Sequence, residues 1–294
     1  MNKIVLSILF SLVAIGLKAQ PLAQRLDSLL MNDPMMRTSE VGISVFDLTT
    51  GKQLFQYQDE KLYRPASTEK VVTSVSALAT LGTDYTMNTR LQYTGKVEND
   101  TLKGNFYLVG GFDPEFMDED LDSLVDIIAN SGIRYIADTL AADVSMMDSV
   151  YWGNGWSWDD VPDSFQPYMS PLMLNRGCVD VTVVPSEKDS LPLVECVPAS
   201  DYYQVDNDGV SHNPQAGNLR ITRNWLYNGN QIHVTGNVSK KTTRTLSIYT
   251  SKDFFFHTFI NRLKEKGIEA KTIAFTDCPE SDSLTIVTLL FTLE

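Results

Sequence analysis

Apolar residues recur along the chain in two periods, and the switches between them predict the element order. Pro21 to Met31 reads as a helix, with Leu22, Leu26, Leu29 and Leu30 on one face, and Asn32-Asp33-Pro34 breaks it with a turn. Val41, Ile43 and Val45 then alternate with small or polar neighbours, Thr49-Thr50-Gly51-Lys52 turns, and Gln53 to Tyr57 returns, which predicts a β-hairpin. A helix is expected from Pro65 to Leu81, because Pro is tolerated at a helix start and no Gly or Pro follows until Gly82. Thr86 to Tyr107 reads as paired strands turning at Asn99-Asp100. Asp118 to Asn130 reads as an amphipathic helix with Leu121, Leu124, Val125 and Ile128 inward. A strand is expected over Val179 to Val184. Residues 200–245 look polar and strand-rich, turning at Asn207-Asp208-Gly209 and at Asn228-Gly229. Asp253 to Lys266 predicts a helix with Phe255, Phe256, Phe259, Ile260 and Leu263 in the core, ended by Gly267. Leu284 to Phe291 reads as a terminal strand.

Composition adds compartment and excludes some partners. Residues 1–19 have a short positive start at Lys3, an apolar run from Ile4 to Leu17, and small Ala19 as a cleavage point, the pattern of a secretory signal peptide. The run is short for a transmembrane span, and no Cys near the cleavage point indicates a lipid anchor. The formal charge of −13 over 294 residues suits a soluble protein and makes nucleic acid a poor partner. The three cysteines, Cys178, Cys196 and Cys278, are an odd number for an exported chain, and spacing establishes no bridge. His212, His233 and His257 are scattered, so no zinc site and no metal or organic cofactor is expected. Asp206-Asn207-Asp208-Gly209 lacks the spacing and closing Glu of a calcium loop, and a turn is the better reading.

The candidate chemistry is Ser67-Thr68-Glu69-Lys70 at the head of the apolar helix. Positions i and i+3 share a helix face, so a hydroxyl stands beside an amine. A base that takes the serine proton makes it a nucleophile, and a lysine does this when its surroundings favour the neutral amine. About one Ser-x-x-Lys is expected by chance in a chain of this length, so the motif needs its context.

Hairpin, short loop and Ser-x-x-Lys helix in this order resemble the start of the penicillin-recognising serine enzymes, which include D-alanyl-D-alanine peptidases and class A β-lactamases. Three further runs narrow the family: Gly110-Gly111-Phe112-Asp113-Pro114, Trp156-Ser157-Trp158-Asp159-Asp160, and Leu172-Met173-Leu174-Asn175. They are similar to the insert of the class C low-molecular-mass penicillin-binding proteins, where Phe112 replaces a third glycine. The Trp156/Trp158 and Asp159/Asp160 cluster is weighted toward a loop-locking role. The resemblance implies an α+β fold: an incomplete β-lactamase/transpeptidase-like domain interrupted by a large β-rich insert of one or two subdomains. The implied boundaries are a signal peptide over 1–19, catalytic domain over 20–85, insert over 86–245, and a return to the catalytic domain over 246–294.

The resemblance also implies an exported serine carboxypeptidase or endopeptidase acting on D-Ala-D-Ala of peptidoglycan stem peptides. Ser67 would be the acyl-ester nucleophile and Lys70 the general base, and β-lactams would be covalent inhibitors. The family's other two motifs, Ser-x-Asn and Lys-Thr-Gly, have only decoys here. Ser211-His212-Asn213 sits in a polar stretch before Pro214, and Lys241-Thr242-Thr243 has Thr where Gly is needed for close approach. The stretch Leu289 to Glu294 leaves the family pattern, which suggests a truncated or frame-shifted member. A catalytically inactive secreted fragment and a β-lactamase are the competing readings.

Overall fold

The computed structural model describes residues 21–280 and 285–287. The expected signal peptide and the run beyond Val287 lie outside them. The chain divides into two compact units, one ending at Asp84 and one beginning at Tyr85.

The first unit opens with α1 (Leu22–Asn32) and α2 (Pro34–Thr38). Asp33 separates them, its carboxylate accepting from the N–H groups of Met35 and Met36 as an N-cap. β1 (Ile43–Asp47) and β2 (Lys52–Tyr57) form the hairpin, with a bulge between Val45 and Phe46. Asp47 ties its turn, accepting from Thr50 Oγ1 at 2.6 Å and Thr49 N at 2.9 Å; these bonds, the Thr50 one first, hold its carboxyl below the usual range. After a short 3₁₀ turn, α3 (Glu69–Leu81) runs to Gly82, whose φ of 82° supplies the left-handed stop expected of it. Among the described residues of this unit only Leu30 and Phe55 are buried.

The second unit is built on a mixed sheet. β3 (Arg90–Tyr93), β4 (Lys96–Glu98), β5 (Thr101–Lys103) and β6 (Phe106–Val109) follow in antiparallel pairs, β3 with β6 and β4 with β5. The connection then crosses through α4 (Asp118–Asn130) to β7 (Tyr135–Asp143), which lies parallel to β6. Two small sheets come next. β8 (Cys178–Val184) pairs with β9 (Leu193–Val197) on one side and β13 (Thr242–Ser247) on the other. β10 (Gln204–Ser211), β11 (Arg220–Arg223) and β12 (Gln231–Val238) form the other sheet, with β12 central. α5 (Ser251–Glu265) leads to β14 (Glu269–Phe275), parallel to β7, and β15 (Thr285–Val287) pairs with β3.

One apolar core spans this unit. Leu121, Leu124, Val125 and Ile128 of α4 and Phe254, Phe255, Phe256 and Phe259 of α5 are buried in it, and Phe116 packs against Phe255 in a tilted arrangement with ring centres 4.9 Å apart. The acidic first turn of α4 has structural partners: Asp120 accepts from Met117 N at 2.8 Å, and Asp118 pairs with Arg262 of α5.

One expectation is corrected, the turn at Asn207-Asp208-Gly209, and the last elements can be placed. α5, β14 and β15 pack within the second unit: α5 buries its phenylalanines in that core and both strands extend its main sheet. Asn207-Asp208-Gly209 is not a turn but the middle of β10, where Asn207 pairs with Val234 and its Nδ2 donates to Pro192 O at 2.8 Å. A neighbouring strand and a side-chain bond outweigh the local turn preference.

All three cysteines are free thiols. Burial pushes Cys178 up to about 12 and Cys196 up to about 11. Phe112 occupies a φ of 60°, the left-handed region that favours glycine, while its N–H donates to Pro171 O at 3.0 Å. The neighbouring Gly111 has no such freedom to change: a Cβ there would stand 2.0 Å from Asn88 O.

Candidate active site

Residues 58–68 present the candidate nucleophile. Tyr63 anchors this connection to the hairpin, its hydroxyl donating to Val41 O and Gln58 O, each at 3.0 Å. Pro65 enters a helical conformation at φ −71°, and Ala66 takes a left-handed φ of 46°. The 3₁₀ turn Ala66–Thr68 closes through Thr68 N to Pro65 O at 3.1 Å, and α3 begins at Glu69. Ser67 therefore stands just before the first turn of the helix, and Lys70 stands in that turn.

The pair is brought together as the spacing requires: Lys70 Nζ donates to Ser67 Oγ at 2.9 Å. That is within the reach over which a base and a nucleophile exchange a proton. The unfilled N–H groups at the helix start, with the positive end of its dipole, favour negative charge developing near Ser67. Both side chains are exposed, as is every residue of α3; Val71, Val72, Val75, Leu78 and Leu81 are each at least half exposed.

The two decoys serve the fold of the second unit. Ser211 is buried and accepts from Ser186 N at 3.0 Å, while Asn213 caps a short 3₁₀ turn by accepting from Gln215 N at 3.0 Å. Thr243 is paired along β13 with Thr182 of β8, the hydroxyls 2.8 Å apart. Among the described residues no group of three or more His, Cys, Asp or Glu could hold a metal ion, and no helix is long and apolar enough to cross a membrane.

Sequence reasoning places Trp156 and Trp158 in a loop-locking role. Ring contacts are present, Trp152 with Trp156 at 5.4 Å, but Trp158 is 66% exposed. It faces Trp225 at 5.3 Å, a residue that no motif singles out. The only signal was its type: four tryptophans in the chain, one lying far from the other three in sequence.

The hairpin and the Ser-x-x-Lys helix that carry the resemblance are both present, followed by a mixed α/β unit. The chain belongs to the D-Ala-D-Ala carboxypeptidase 3 (S13) family, whose profile matches residues 22–288. It is 26% identical over 267 residues to a D-alanyl-D-alanine carboxypeptidase of Actinomadura sp. (strain R39), covering 88% of this chain and 49% of that protein. It is 29% identical over 140 residues to the D-alanyl-D-alanine carboxypeptidase DacB of Haemophilus influenzae, covering 48% of this chain and 29% of that one. The crystal structure of penicillin binding protein 4 (dacB) from Haemophilus influenzae has the same fold, with a TM-score of 0.69 at 22% identity, over 88% of this chain and 58% of that one. A second structure of that protein, complexed with a β-lactam, matches with a TM-score of 0.61 at 20% identity, over 88% and 57% of the two chains. The chain spans about half the length of these relatives.

Proposed function

We propose that Ser67 is the acyl-ester nucleophile, and Lys70 its general base, of an exported serine-type D-alanyl-D-alanine carboxypeptidase or endopeptidase acting on peptidoglycan stem peptides. The observation that carries this is the 2.9 Å hydrogen bond from Lys70 Nζ to Ser67 Oγ in a chain of this family. In the first step Lys70 accepts the Ser67 proton as Oγ attacks the carbonyl of the D-Ala-D-Ala bond. The developing oxyanion gains from the dipole of α3. The proton passes to the leaving amine, D-alanine departs, and water hydrolyses the ester to free Ser67. A β-lactam enters by the same attack on its strained amide, and no metal or organic cofactor takes part. The relatives' names and the β-lactam in the Haemophilus structure support this reading. Residues 1–19 support export to the periplasm or cell surface.

One observation favours a second reading, that the 294-residue chain is inactive by itself. Ser67 and Lys70 stand exposed, and neither decoy motif is free to supply a second wall of the cleft. Each missing oxyanion or carboxylate contact costs about 3 kcal/mol of transition-state stabilisation. Mass spectrometry after incubation with a labelled penicillin decides between them. A single adduct on Ser67, absent in Ser67→Ala, is the expected result. An adduct that persists in Ser67→Ala overturns the assignment, and an unlabelled wild-type chain establishes the second reading.

A further inference from the structure

All four tryptophans of the chain, Trp152, Trp156, Trp158 and Trp225, gather in one place in the second unit, remote in sequence from Ser67. Trp152, Trp158 and Trp225, together with Tyr168 and Tyr249, frame a recess of about 300 Å³. Trp152 packs on Tyr168 at 5.2 Å, Tyr168 meets Tyr249 edge-on at 5.1 Å, and Trp158 faces Trp225 across 5.3 Å.

The frame is held from behind. Arg223 is 1% exposed, its guanidinium carbon 6.0 Å from the centre of the Tyr168 ring. Its Nε donates to Ser247 O at 2.6 Å and its Nη1 to Gly229 O at 2.9 Å, which fixes the cation beneath the ring. Asn230 clamps Tyr249 twice, donating to its carbonyl at 3.0 Å and accepting from its N–H at 2.9 Å. Ser251 Oγ donates to Tyr168 O at 2.5 Å. Tyr168 and Tyr249, set this firmly, need no ordering when something binds. Yet Trp158 and Leu226 are 66% and 63% exposed, a large apolar area for a surface with no partner.

The lining specifies the ligand. No Asp, Glu, Lys or Arg lines the recess, in a chain with 37 acidic and 24 basic residues. A charged ligand would lose water there without gaining a partner, so the complementary ligand is neutral. It must have apolar faces for the rings and polar edges for Asn228 and the tyrosine hydroxyls. The Tyr168 hydroxyl lies 3.5 Å from Asn228 Oδ1, a contact long enough to leave both groups able to bond a ligand. Asn228 itself takes a left-handed φ of 55° after the turn Trp225–Tyr227, which brings its amide to the recess. Val161 and Leu226 add aliphatic surface beside it. A pyranose has the required C–H faces and hydroxyl edges. An acetamido substituent would bond the Asn228 amide and lay its methyl group on Val161 or Leu226. The volume, at the low end for small-molecule sites, suits a single sugar unit better than a turn of polyproline.

We propose that this recess binds an N-acetylated pyranose of a neutral glycan strand. It stands without the acylation chemistry, which penicillin labelling reads independently. The test uses N-acetylchitohexaose as probe and the full chain as it is. The four tryptophans report by fluorescence, and calorimetry reports without them. Saturable binding is expected by both methods, at least about tenfold tighter than for cellohexaose. Trp158→Ala should weaken it by about tenfold or more, and Trp158→Phe, which keeps a ring, by about threefold or less. Trp158 is exposed, so neither change threatens folding. The proposal is overturned by the absence of saturable binding, by equal affinity for cellohexaose, or by a Trp158→Ala chain that binds as the wild type does. It is equally overturned if a proline-rich peptide or lipid vesicles bind in a Trp158-dependent way and the saccharide does not.

Discussion

α3 and α4 are both thirteen residues long, both are rich in apolar residues, and they have opposite fates. α4 buries Leu121, Leu124, Val125 and Ile128 completely or nearly so, whereas α3 buries nothing, with Val75 60% and Leu78 58% exposed. Each fully buried side chain of this kind is worth about 1.5–3 kcal/mol. The second unit therefore draws its stability from a continuous core, and the first rests on a hairpin, caps and the two buried side chains Leu30 and Phe55. The Ser67–Lys70 pair sits on the less buried unit. An amphipathic pattern marks the face of a helix that gains from cover; it does not supply the cover.

The contrast can be broken most directly in the second unit. Phe255→Ala removes a fully buried ring and should cost about 3–5 kcal/mol in denaturant unfolding. A loss below about 1 kcal/mol would mean that the shared core is not what holds the unit. Next in size is the glycine run before α4. Gly111→Ala forces the Cβ against Asn88 O and should cost about 2–3 kcal/mol. Phe112→Gly exchanges lost packing for a relaxed left-handed backbone, and should change stability by less than about 1 kcal/mol.

An effect of similar size comes from pH. The folded state raises Cys178 from 9.0 to about 12, so it holds the thiol proton more tightly than the unfolded chain does. The resulting stability is fully present below about pH 9 and is lost as pH rises toward the folded value. Between pH 8 and pH 10 the wild type should lose about 1 kcal/mol more than Cys178→Ala, read as the difference in denaturant midpoints. An equal slope in both chains would show that Cys178 is not protected by the core. The smallest effect is expected on α3: Leu78→Ser should stay within about 0.5 kcal/mol of wild type, because the side chain is already in water. A cost of 2 kcal/mol or more would show that α3 is covered in solution and would erase the contrast between the two helices.

Much of the first unit was legible because its determinants are local. The Asp33 cap, the hairpin turn at Asp47, the Gly82 stop and the i, i+3 spacing of Ser67 and Lys70 all lie within a few residues of what they control. The same holds for α4 in the second unit, whose range and four inward residues match the reading from periodicity. What failed was non-local. Asn207-Asp208-Gly209 has turn chemistry, but its strand is decided by β12, more than twenty residues further on. α5 reads correctly as a core helix, and the core it joins is set by Phe116 and α4, far upstream.

The sequence by itself thus determined the helix ends and the Ser67–Lys70 pairing, because capping, periodicity and helical spacing act over one or two turns, while the family was carried by the resemblance of its motif runs. Only the tertiary structure decided that the last elements close the second unit, that Phe112 holds a glycine's conformation, and that Trp225 joins Trp152 and Trp158 around one recess. Those outcomes rest on contacts between residues distant in the chain, and strand pairing and ring packing leave no mark on the local pattern of either partner.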